Sequence, residues 1–207
     1  MARFTIVRGL TYLDRIGWRA RPDLPRLGYP VARDQRTHVI IHHTTITDTD
    51  STTNLWETER EVQQQMQRLQ TVRPQLGLDV PYNFVLFLMN QNPPAVFACE
   101  GRGEDRTGAH TKGHNTTGIG IAIQGNFQQH IDITRFVPLI SFFLGWLKFD
   151  PNGPGYGGPY PPLSNLGQLK PAGREVFCHR DFSATHCPGH SVMAILPQIR
   201  FANPRPA

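Results

Sequence analysis

Between Thr37 and His43 the run Thr-His-Val-Ile-Ile-His-His is dominated by β-branched residues and ends on polar Thr44 and Thr45, which predicts a strand. A period of two puts His38, Ile40 and His42 on one face and Val39, Ile41 and His43 on the other, so the adjacent His42 and His43 point in opposite directions. From Asp50 to about Val72 the pattern turns helical. A polar stretch rich in Glu and Gln carries Leu55, Val62, Met66, Leu69 and Val72 at near-helical spacing, with Asp50 and Ser51 as candidate caps and Pro74 as the stop. Asn83 to Met89 and Ala95 to Cys99 are apolar runs on either side of Asn-Gln-Asn-Pro-Pro and predict a hairpin. In Gly118 to Gln124, Gly and then Ala alternate with Ile, which suits a central strand that a neighbouring group approaches closely.

Thr134 to Phe149 is apolar enough to predict a buried helix, with Pro138 accommodated in its first turn. Glu175 to Cys178 reads as a short strand feeding His179, and Ser191 to Ile199 as a short terminal helix. Strands and helices alternate irregularly, which predicts an α/β class with a central mixed sheet flanked by helices. No internal repeat is present, and 207 residues suffice for one well-buried core, so a single domain over 1–207 is expected. Its main decoration is the Gly, Pro and Tyr segment 150–172, and a loop of that length inside a compact domain is usually functional or mobile.

Composition narrows the function classes. An apolar fraction of 39% and a charged fraction of 18% exclude wholesale disorder, and 19 glycines with 18 prolines promise many loops. The net charge of +5 favours an anionic partner. The lysines and arginines are scattered and form no nucleic-acid motif, so nucleic acid is not expected as a partner. Three cysteines, Cys99, Cys178 and Cys187, make an odd count without framework spacing, which fits a reducing origin. Met1 to Leu10 interleaves Arg3 and Arg8 with apolar residues and lacks the continuous apolar stretch of a signal peptide. No segment approaches the roughly 20 apolar residues that span a bilayer. The expectation is a monomer made in the cytoplasm, without a transmembrane segment, that reaches any outside target after release by another agent.

His42, His179 and Cys187 supply two imidazoles and a thiolate, a set that suits catalytic zinc, which takes three protein ligands and leaves one position to water. Spacing alone does not decide the matter. The seven residues between His179 and Cys187 match no standard finger, nine histidines give chance arrangements, and a lone cysteine is by default a small buried hydrophobe. A series of motifs in order changes the weighing: IHHT at 41–44, PYNF at 81–84, EGRG at 100–103, GAHTKGHN at 108–115, IGIAIQGNF at 119–127 and HRDFSATHCPG at 179–189. Together they resemble the peptidoglycan recognition protein and type-2 N-acetylmuramoyl-L-alanine amidase family, over about residues 15–199. The opening RIGWRARP at 15–22 is similar to that family's Trp-containing start.

The resemblance implies the zinc amidase type-2 fold, one Zn²⁺ held by His42, His179 and Cys187, and peptidoglycan as substrate. It implies cleavage of the amide between N-acetylmuramic acid and L-alanine, with Tyr82 and Thr185 as catalytic donors, and it places Arg102, His110, Thr111 and Asn115 along a substrate groove. The small, basic form resembles phage endolysins; a bacterial wall-recycling amidase is the neighbouring alternative. Local sequence leaves plainer readings open: Tyr82 as a core aromatic, Thr185 as a loop hydroxyl, the groove residues as a solvated loop, and Cys99 and Cys178 as inert buried thiols. His43 reads as structural. Three rival functions stand beside the amidase. One is a receptor that binds peptidoglycan without cutting it, a class that commonly lacks the cysteine ligand. Another is a cysteine hydrolase pairing Cys187 with His179. The third is a chain that needs zinc only for folding.

Overall fold

The structure, a computed structural model, describes residues 2–46, 54–149 and 162–203. Its strands are β1 (Arg3–Val7), β2 (Leu10–Leu13), β3 (His38–His43), β4 (Phe84–Met89), β5 (Ala95–Glu100), β6 (Gly118–Ile123) and β7 (Phe177–Cys178). They form one mixed sheet in the order β1-β2-β5-β4-β6-β3-β7. The predicted hairpin is the antiparallel pair β4 and β5, whereas β6 runs parallel to both β4 and β3, and β3 runs parallel to β7. The sequence reading did not identify β1 and β2. They are short strands at the margin of the sheet, and β1 keeps Arg3 and Thr5 in solvent while Ile6 turns inward.

Strand alternation sorts the apolar side chains into two layers. Phe84, Leu86 and Leu88 of β4 join Val39 and Ile41 of β3 in a core with helix α2 (Val137–Phe149). Val85, Phe87 and Met89 pack on the other face with helix α1 (Glu59–Leu69) and with Trp18. In the α2 layer the rings of Phe4, Tyr12, Phe143 and Trp146 meet at centroid distances of 5.0 to 5.8 Å. Each such pair adds about 1 kcal/mol beyond the area it buries.

Helix α1 starts later than its apolar pattern suggests. Thr58 caps it, Oγ1 accepting from the Glu61 backbone N–H at 3.2 Å while Glu61 Oε2 accepts from the Thr58 N–H at 3.3 Å. Val62, Met66 and Leu69 are buried as the spacing predicts, but Val72 lies beyond the helix end and is 37% exposed. The caps expected at Asp50 and Ser51 lie outside the described residues, as does 150–161 of the expected loop. The rest of that loop is anchored: Leu163 and Leu166 are buried, and the Gly167 N–H donates to Thr37 O at 2.9 Å. The terminal helix is shorter than expected, α3 (His190–Ile195) giving way to a 3-10 turn at Leu196–Gln198. No helix among the described residues is long and apolar enough to cross a membrane.

One glycine shows how closely the C-terminal segment docks. A Cβ on Gly145 would stand 1.5 Å from the carbonyl oxygen of Ala202, whose own N–H donates to Ser141 O at 3.2 Å. Backbone must move to admit it, so Gly145→Ala should destabilise the chain by roughly 1–3 kcal/mol despite alanine's better helix propensity. Denaturant melts measure this, and an unchanged midpoint would show that the segment does not bear on α2.

Candidate metal centre

Strands β3 and β7 lie side by side, with Ile40 opposite Phe177 and Ile41 opposite Cys178. The next residues, His42 within β3 and His179 just past the end of β7, therefore stand at the same level of the sheet. His179 enters a 3-10 turn (His179–Asp181) that Asp181 closes by accepting from the Cys178 N–H at 2.8 Å, itself held by Arg174 at 2.9 Å. The chain then returns to bring Cys187 in. Its Sγ lies 3.7 Å from His42 Nδ1 and accepts from the His43 N–H at 3.4 Å, while the Cys187 N–H donates to Thr185 Oγ1 at 3.2 Å. One donor atom each from His42, His179 and Cys187 lies within 4.8 Å of the others. Tetrahedral zinc with ordinary bond lengths holds its donors about 3.5 Å apart, so small side-chain adjustments suffice. His43 turns the other way, its Nδ1 accepting from the Phe127 N–H at 3.2 Å.

Burial dominates the electrostatics. It holds His42 well below the usual imidazole range, with His110, His179 and Arg73 adding to the effect, and it lowers His179 in the same sense. It also pushes the Cys187 thiol up to about 11. Without a cation the three groups are therefore neutral near pH 7, two imidazoles with free lone pairs and a thiol whose ionisation awaits a positive charge. Two nitrogens and one soft sulfur fit Zn²⁺. A cysteine nucleophile needs the opposite, a thiol held low by its surroundings.

A cavity of about 120 Å³ opens over the cluster. Tyr82 and Thr185 line it together with the three donors and Arg73. The Tyr82 ring sits 5.3 Å from that of His42, and burial pushes its phenol up to about 12, so it stays a hydrogen-bond donor through the neutral range. A larger cavity of about 590 Å³ lies away from this centre, among Arg8, Gly9, Pro93, Pro94, Pro138 and Leu139, and offers neither metal ligand nor nucleophile.

Of the four residues expected along a substrate groove, His110 lines the cavity over the cluster, and Arg102, Thr111 and Asn115 are not among its lining residues. Arg102 is 4% exposed, its guanidinium donating to the carbonyls of Val80 and Leu76 at 3.1 Å and lying 3.8 Å from buried Asp79, so it braces the loop before Tyr82 from within. Asn115 Oδ1 accepts from the backbone N–H groups of His110 and Thr111, at 2.8 and 3.1 Å, and so shapes its own loop. His110 and Thr111 are buried against His42, with His110 on the cavity wall. Sequence reasoning missed Arg73. Standing just before a proline after a polar helix, it carried no signal, yet it is the one permanently charged residue lining the cavity among those described, donating to Thr44 O at 2.9 Å and Thr45 Oγ1 at 3.2 Å.

No protein-family model and no curated protein matches the chain by sequence. Solved structures match by shape. Drosophila PGRP-LB superposes with a TM-score of 0.64 at 20% identity, covering 90% of this chain and 92% of that one. Bumblebee PGRP-SA gives 0.60 at 22% identity, covering 87% and 89%. Peptidoglycan recognition protein-LE, solved with tracheal cytotoxin, a monomeric diaminopimelic acid-type peptidoglycan, gives 0.56 at 18% identity, covering 88% and 89%. The mixed sheet, its flanking helices and the order in which they follow one another are thus those of a known architecture: the chain has the fold of the peptidoglycan recognition proteins.

Proposed function

We propose that the chain is a zinc-dependent N-acetylmuramoyl-L-alanine amidase that cuts the amide between the lactyl group of muramic acid and the first L-alanine of peptidoglycan. The observation that carries the reading is the convergence of His42, His179 and Cys187 beneath a cavity that also holds Tyr82 and Thr185. A zinc ion held by these three donors supplies Lewis-acid polarisation of an amide carbonyl and activation of water for attack. The chain's own groups do the rest. Tyr82, protonated and buried, offers its hydroxyl to the oxyanion that develops on the scissile carbonyl, and the Thr185 hydroxyl, already accepting from Cys187 N–H, offers its proton to the same region. Arg73 gives the wall a fixed positive charge suited to the carboxylates of a stem peptide.

The fold's relatives support the substrate class, since one was solved with a peptidoglycan fragment bound. The setting we propose is that of an endolysin-like monomer, made in the cytoplasm and released to the wall, where its net charge of +5 speeds approach to anionic surfaces at low ionic strength. Mass spectrometry of digested peptidoglycan tests the reaction. Free stem peptides beginning at L-alanine are expected, their release stopping in a chelator and returning with added Zn²⁺. Intact glycan strands captured by the protein without cleavage would instead identify a binding module, and release that ignores chelation would discard the metal.

A further inference from the structure

Resting on the zinc reading above, we infer that His110 fixes the proton of His42, holding it on Nε2 so that the Nδ1 lone pair is free for the metal. The geometry divides the His42 ring into two ends. Nδ1 faces Cys187 Sγ at 3.7 Å; Nε2 faces His110 Nδ1 at 3.2 Å and Thr111 Oγ1 at 3.4 Å. A neutral imidazole carries one proton. On Nδ1 that proton occupies the position the metal needs; on Nε2 it needs an acceptor. Metal-bound histidines usually find one in a carboxylate, a backbone carbonyl or water. Here the described residues bonded to Nε2 are only His110 and Thr111, whose Oγ1 also meets His110 Nδ1 at 3.1 Å.

The fold is arranged to aim His110. A Cβ on Gly120 of β6 would stand 2.3 Å from the His110 ring, and one on Gly108 would stand 2.2 Å from it, so the ring fills space that only two glycines leave empty. Asn115 holds the His110 backbone N–H at 2.8 Å. Clamped in this way, the ring presents Nδ1 to His42, and its buried Nε2 meets no hydrogen-bond partner among the described residues. Gly120 accounts for part of the Gly-Ile alternation of β6: the neighbour that approaches the strand there is this imidazole, whereas Gly118 is approached by the His114 carbonyl and the His38 ring.

Zinc affinity, measured by chelator competition on wild type, His110→Leu and His110→Asn, separates this role from packing. Both variants remove the ring and should lower the melting temperature of the metal-free chain to a similar degree. The asparagine oxygen stands near the position of Nδ1 and can accept from His42, so His110→Asn should keep zinc affinity within about threefold, whereas His110→Leu should lose roughly 10–100-fold. Equal losses in the two variants, or none in His110→Leu, would overturn the assignment. If either variant does not fold, ¹⁵N NMR of the zinc-loaded wild type decides: His42 protonated at Nε2 and His110 unprotonated at Nδ1 supports it, and the reverse arrangement overturns it. A wild-type chain that takes up no zinc overturns the amidase proposal as well, which distinguishes that failure from loss of the His110 role alone.

Discussion

Replacing Cys187 with serine should lower muropeptide cleavage by more than about a hundredfold, beyond the loss typical when an outer partner of a metal ligand is removed. Serine keeps the shape of the side chain but replaces a soft thiolate with a hydroxyl that stays protonated, so the donor set loses its anion. The fold should survive. Cys187 lies in a turn, is only partly buried, and its sulfur makes only long contacts, with the His43 N–H at 3.4 Å, His42 Nδ1 at 3.7 Å and His43 O at 3.8 Å. His179→Ala should behave alike, because its ring serves the cavity and stands outside both hydrophobic clusters. Turnover measured beside a thermal melt checks both variants, and undiminished activity in either folded protein rejects the ligand set.

The second large effect is expected at Tyr82. Tyr82→Phe keeps the ring that packs with Trp18, Val80 and Val85 and removes only the hydroxyl, so stability should change little. If the phenol serves the developing oxyanion, kcat should fall roughly 100-fold with KM nearly unchanged, the pattern of an interaction made only in the transition state. Steady-state kinetics on a soluble muropeptide gives both constants. A matching loss in substrate affinity would place Tyr82 in ground-state binding.

Much of this architecture was legible in the chain because its strands are strongly patterned. The alternation in 38–43 separated His42 from His43, and in the structure their ring nitrogens meet different partners: His42 faces Cys187 and His110, whereas His43 accepts from the Phe127 N–H, although both residues border the cavity. The apolar stretch before Phe149 became α2, and the turn between β4 and β5 stood where Asn-Gln-Asn-Pro-Pro predicted it. Other features were hidden for physical reasons. Arg102 has the composition of a surface cation, and only the fold reveals that the carbonyls of Val80 and Leu76 meet its guanidinium indoors. Asp79, buried and bonded to Arg15 at 2.9 Å, is a second charge that the fold takes inside. The start of α1 was misjudged because its apolar spacing continues outside the helix, whereas the reciprocal Thr58 and Glu61 cap sets the true boundary.

The parallel pairing of β3 with β7 ties chemistry to strand alignment. β7 has two residues, too few to specify their own register, and it lies at the sheet margin. Sliding it by one position along β3 would turn His179 towards the opposite face and separate it from His42. An ion held by these two histidines would therefore also pin the last strand, and a substitution that lets that strand slip would disable such a centre without touching a single donor.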